Sequence, residues 1–150
     1  LYKQLHLLKK HGAAVAVSII SGVATSAVSI FLMCRVLGLS HAHYVTLLPK
    51  SITTAIGMGV SEEAGGIVTL TVVSIIITGI LGNIIAETLF KVARITHPIA
   101  KGLALGTSAH AIGTAKALEI GEIEGAMSSL AIAVAGLMTV LVVPVVSGLI

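Results

Sequence analysis

Hydrophobic residues run along this chain in three long, charge-free stretches, Gly12 to Cys34, Gly65 to Ala86 and Gly125 to Ile150. A helix needs about 20 mainly apolar residues to cross a bilayer core roughly 30 Å thick, so each stretch predicts a membrane span. Two segments between them break the pattern with glycine, proline and hydroxyls: Leu48 to Gly66 and Gly102 to Gly125. Apolar pieces of roughly 10 to 14 residues are too short to span as plain helices, so these segments predict re-entrant or broken helices. The fold class that follows is all-α, a polytopic helical membrane protein forming a single transmembrane domain over residues 1–150.

The two interrupted segments resemble each other. Ala55-Ile56-Gly57 matches Ala111-Ile112-Gly113, and at the same offset of 56 residues Glu63 and Gly65 match Glu119 and Gly121. Each is followed by a long apolar span, so the expected unit is one span plus one interruption, duplicated as an inverted repeat. Charge agrees with this arrangement. If both interruptions dip in and return on one side, Lys3, Lys9, Lys10, Lys91, Arg94, Lys101 and Lys116 share one face, and only Arg35 and Lys50 lie on the other. By the positive-inside rule that face is cytoplasmic. If both cross instead, the cations divide almost evenly and orient nothing. The opening LYKQLHLLKKHG reads as the end of an upstream helix entering a basic loop, and the chain begins at Leu1 as though the start of the protein were missing.

Composition removes a soluble reading: 56% of residues are hydrophobic, 10% are charged, and the mean hydropathy is +1.10. The net charge of +3 is spread between spans rather than massed on one face, so nucleic acid is not an expected partner. A single cysteine, Cys34, sits in an apolar run and reads as packing. The Ala, Ser, Thr and Gly of the first span read as close helix packing. His41 and His43 have alternate spacing without Cys or acid partners nearby, so no metal site is expected.

Polar groups at membrane depth are costly unless satisfied, and the candidate chemistry therefore lies in the interruptions. In the first, Pro49 starts or breaks a helix, and Lys50, Ser51, Thr53 and Thr54 follow it. Free N–H groups at a helix start favour anions, and Lys50 adds a full charge. Its alternative role is snorkelling to the interface, with the hydroxyls bonding back to their own helix. In the second, Thr107, Ser108, His110, Gly113 and Thr114 stand in a glycine-punctuated frame, where an imidazole can donate to a carboxylate or carry a proton. Glu63, Lys116 and Glu119, at the ends of the segments, are candidates for coupling or gating. Loop charge at a helix start is the plainer explanation for the acids.

Four stretches, LLPKSITTAIGMGVSEEAGGIVTLT, IITGILG, ARITHPIAKGLALGTSAHAIGTAKALE and EIEGAMSSLAIAVAGL, resemble the LrgB/CidB family. The likeness is dense from about Leu37 onward, and family members carry further membrane helices upstream. Departures are few: Ala55 stands where proline is usual, Lys101 and Lys116 replace arginines, and the order at 108–110 is Ser-Ala-His rather than Ala-Ser-His. The resemblance implies an antiholin-like protein modulating murein hydrolase export and autolysis, with a small LrgA/CidA-type partner. It also implies small carboxylates, since the related chloroplast protein moves glycolate and glycerate and bacterial relatives are linked to pyruvate uptake.

The reading that joins these lines is a secondary transporter of small monocarboxylates such as pyruvate, glycolate or lactate. Lys50, Ser51, Thr53, Thr54, Thr107, Ser108, His110, Gly113 and Thr114 would line its site. H+ or Na+ would be the coupling ion, with no other cofactor and no enzymatic reaction. Its setting would be a bacterial cell (inner) membrane and its form a homo-oligomer. The alternative is an antiholin-like regulator that transports nothing.

Overall fold

The computed structural model describes residues 5–150, with side chains from Lys10 onward. Lys3 and the side chain of Lys9, two cations of the expected anchor, lie outside the described residues. Six helices follow in order: α1 Leu5–Leu37, α2 His41–Leu47, α3 Thr54–Glu63, α4 Val68–Val92, α5 Pro98–Ile120 and α6 Glu122–Val146, closed by a 3-10 turn at Ser147–Leu149. Among the described residues there is no strand. The expected basic loop near Lys10 is helical instead, with a kink at His11 (φ −117°, ψ 17°).

Among the described residues, three helical stretches are long and apolar enough to cross a membrane: Lys10–Leu37, Val68–Val92 and Glu122–Leu149. Their outer faces are unlike any soluble surface. Ile84 on α4 is 69% exposed and Leu141 on α6 is 73% exposed, each among further exposed Ile, Leu and Val. A contiguous apolar surface of this kind suits hydrocarbon as its solvent. The chain is a multi-pass membrane protein.

The interruptions form helical hairpins. In α5 the backbone leaves helical geometry at Ala109 (φ −127°, ψ 16°) and His110 (φ 42°, ψ −133°), which divides it into an inbound half, 98–108, and an outbound half, 111–120. Residues eight apart on a straight helix lie about 12 Å apart. Gly113 instead packs so closely on Leu105 that a Cβ there would meet the Leu105 carbonyl oxygen at 2.7 Å. The outbound half therefore folds back along the inbound one. Hairpin one pairs α2 with α3 across the turn 48–53: Thr71 Oγ1 of α4 lies within hydrogen-bond distance of both Ser61 Oγ (2.6 Å) and the Thr46 carbonyl oxygen (3.0 Å), which brings those two residues together.

Packing fixes the direction of each hairpin. One apolar cluster joins Val15, Ile19 and Val23 of α1 to Met127, Ala131 and Ala135 of α6, and a second joins Ile30 and Cys34 to Val143, so α1 and α6 run parallel. Tyr44 of α2 lies in the second cluster, near the C-terminal end of α1. Both ends of α5 lie at the opposite end of the bundle: Gly102 abuts Glu124 in the first turn of α6, and Lys116 pairs with Glu87 near the end of α4. The hairpins thus enter from opposite ends. Their tips meet α1 midway, where Ser51 Oγ lies 3.2 Å from Ser26 Oγ and Gly22 abuts Thr107. The offset of 56 residues maps Thr53-Thr54, where α3 starts, onto Ala109-His110, where α5 reverses.

Candidate functional site

Where the tips meet α1, a groove of about 520 Å³ opens between α1, the tip of hairpin one and the inbound half of α5. Lys50, Ser51, Thr107 and Ser108 line it, so four of the nine residues expected to bind substrate share one wall. The facing wall was not anticipated as a lining. Ser18, Ser21, Thr25, Ser26 and Ser29 of α1 present a row of hydroxyls to the groove, where the sequence reading took the small residues of this span as helix packing alone. Both roles hold on the one helix, because Gly22 in the same row is the position that admits Thr107. A spacing of three to four residues among the hydroxyls was the available signal, and it fits a lining and a packing seam equally well.

The groove contains one cation and, among its lining residues, no carboxylate. Lys50 Nζ donates to Ser51 Oγ (2.9 Å), and among the described residues no acid lies within ion-pair distance of it. An ammonium has three donors, so two remain for an incoming anion. The hydroxyls are less ready. Ser21, Ser29, Thr107 and Ser108 each donate to a carbonyl of their own helix, at 2.7 to 2.9 Å, and present lone pairs to the groove. Turning one toward an anion gives up a back-bond worth about 0.5–1.5 kcal/mol net. Among the lining residues, Lys50 is therefore the group with N–H donors left over. Lys50 and Ser108 also border a second cavity of about 340 Å³ against α4, so they stand between two open spaces.

The other expected residues lie elsewhere. Thr53 is the N-cap of α3 and Thr54 its first residue, and neither lines the groove, so the start of α3 adds no donor there. His110 is buried, and its Nε2–H donates to the carbonyl oxygen of Ile75 in α4 (2.8 Å). A carbonyl only accepts, which fixes the proton on Nε2. The ring lies on Gly79, where a Cβ would meet Cε1 at 2.7 Å. Thr114 Oγ1 donates to the His110 carbonyl (2.9 Å) and lies 2.8 Å from Ser128 Oγ of α6. His110, Gly113 and Thr114 thus hold the reversal of hairpin two in place. Glu63 is exposed at the end of α3, while Lys116 bridges Glu87 (2.7 Å) and Glu119 (3.2 Å) at the far end of α5. Among the described residues no group of three His, Cys, Asp or Glu side chains is placed to hold a metal ion.

A profile described as the LrgB-like family matches residues 1–149. The chain belongs to that family. It is 40% identical over 144 residues to the antiholin-like protein LrgB of Bacillus cereus strain B4264, and equally to those of B. cereus strain AH187 and Bacillus anthracis strain A0248. Each alignment covers 96% of this chain and 63% of the relative, so the LrgB-like chain spans less than two thirds of the length of these curated relatives. No solved structure matches it.

Proposed function

We propose that this protein has the antiholin-like role for which its relatives are named, as a regulator of murein hydrolase export and autolysis in a bacterial cell membrane. The observation that carries this reading is 40% identity along 96% of the chain. A small LrgA/CidA-type membrane protein is the partner the reading calls for, and a homo-oligomer the assembly. The test is complementation. The complete protein, expressed in a Bacillus strain lacking its own LrgB, should return the rate of autolysis to the wild-type value and co-purify with the small partner. An unchanged lysis rate, with the protein present in the membrane, would refute the reading.

The groove favours a second reading, secondary transport of a small monocarboxylate coupled to H+ or Na+. Its support is Lys50, a cation without a carboxylate partner among the described residues, set among hydroxyls where two hairpin tips meet. In this reading the hairpins are re-entrant loops of an inverted repeat, and the ligand carboxylate takes the two free donors of Lys50. Half-helices meeting near the middle of the bilayer are a common transporter design. Counterflow of pyruvate, glycolate and lactate in proteoliposomes holding the complete protein tests it. Uptake above empty vesicles, lost with Lys50→Ala, is the expected result, and no counterflow of any of the three would leave the regulatory reading alone.

A further inference from the structure

The end of the bundle where α4 passes into α5 holds a cavity of about 700 Å³ that the groove does not involve. Lys91, Arg94, Lys101 and Lys116 line it with Glu87 and Glu119, four cations against two carboxylates. Both carboxylates engage Lys116, and among the described residues no acid lies within ion-pair distance of Lys91, Arg94 or Lys101. The cations lining this space thus outnumber the carboxylates by two, and among the described residues Lys91, Arg94 and Lys101 make no direct ion pair.

The offset of 56 residues supplies an internal comparison. At the corresponding corner of the first half, Phe31, Val45 and Val60 stand where Glu87, Lys101 and Lys116 stand in the second, and they help fill an apolar core with Cys34 and Tyr44. One corner is sealed with hydrocarbon and its counterpart is hollow and charged. The helix ends differ in the same sense. α1 closes at Gly38 (φ 63°), with Gly38 N–H donating to Arg35 O (3.4 Å) and Leu39 N–H to Cys34 O (2.9 Å). α4 closes with the same two bonds, Arg94 N–H to Lys91 O (3.2 Å) and Ile95 N–H to Phe90 O (2.8 Å), but the left-handed residue is Arg94 (φ 54°). Glycine is the unstrained residue for this cap. An arginine there carries backbone strain and gives the cavity a guanidinium, a planar fork of donors matched to phosphate oxygens.

We infer that this cavity binds the phosphate of an anionic phospholipid headgroup. Its location fits a lipid. The cavity lies at the last turn of a membrane span, and Val92 of α4 and Leu118 of α5, next in the chain to the lining residues Lys91 and Glu119, are exposed, an apolar surface for acyl chains. Basic pockets between membrane helices bind such headgroups by charge. Free phosphate has the same oxygen chemistry but no use for the apolar rim.

The complete protein in phosphatidylcholine nanodiscs, titrated with phosphatidylglycerol and read by native mass spectrometry and by Tm, tests the site. Phosphatidylglycerol should be retained and raise Tm, and Arg94→Gly and Lys101→Gln should each weaken its binding about five-fold. Arg94→Gly should also raise Tm in phosphatidylcholine alone, because glycine relaxes the cap. Arg35→Gln, the counterpart of Lys91 in the other half, should leave lipid binding unchanged. Equal phosphatidylglycerol binding by Arg94→Gly, Lys101→Gln and the unaltered protein would overturn the site. An equal Tm rise with inorganic phosphate in phosphatidylcholine nanodiscs would overturn its assignment to lipid.

Discussion

The two hairpins share a plan and differ at their tips. Hairpin one turns through six residues, 48–53, and carries a charged side chain, Lys50, into open space. Hairpin two reverses at Ala109 and His110, both buried, and at and beyond the reversal His110 and Thr114 bind to α4 and α6. A wide turn leaves room for side chains that answer to a ligand. A tight one turns the groups at and beyond its reversal, His110 and Thr114, to the fold. The difference separates two meanings of a polar residue at membrane depth, and substitution can tell them apart.

The largest effect is expected where hairpin two folds on itself. Gly113→Val would drive a branched side chain against the Leu105 carbonyl and Ala109, and overpacking of rigid backbone costs about 3 kcal/mol or more. Little folded protein should be recovered in detergent, and a normal yield with an unaltered Tm would refute the close packing. Next in size is Lys50→Ala. A hydrogen bond to a charged group contributes about 1.5–3 kcal/mol, so binding of a small carboxylate should fall roughly ten- to a hundred-fold, with Tm within a degree or two. His110→Ala should do the reverse. It leaves the Ile75 carbonyl without the imidazole donor and should lower stability by about 1–3 kcal/mol, while carboxylate affinity in the folded fraction stays within two-fold. A large affinity loss for His110→Ala would place the imidazole in the site after all. Thr71→Val is smaller, about 1 kcal/mol of stability from the contacts to Ser61 and Thr46 that hold hairpin one against α4, read by thermal unfolding.

The helical spans were legible because their signal is local: an unbroken apolar run of bilayer length has few other uses. The interruptions were legible for the same reason, since proline and glycine advertise departures from helix wherever they lie. The point of reversal in α5 was not. It falls at Ala109 and His110 although Gly106 and Gly113 stand close by, because those glycines are taken up by close approaches to α6 and to the inbound half. The face of His110 was also hidden. Its hydroxyl-rich setting suggested a site, but which way a ring points after a reversal depends on the reversal's dihedral angles, which periodicity does not encode. The hydroxyl row of α1 was visible as residues and ambiguous as function. Only the arrival of Lys50 opposite it, 21 residues beyond Ser29 in the chain, makes it a wall.

Tips that meet halfway have an electrical consequence. An unbroken span spreads the membrane potential over the full hydrocarbon thickness, about 30 Å. In the re-entrant arrangement proposed for transport, with water reaching each tip, most of that voltage would fall across the short stretch near Ser26, Ser51 and Thr107. In that arrangement a charged Lys50 beside the stretch would feel about 2.3 kcal/mol per elementary charge per 100 mV, a bias on the tip toward one side of the membrane.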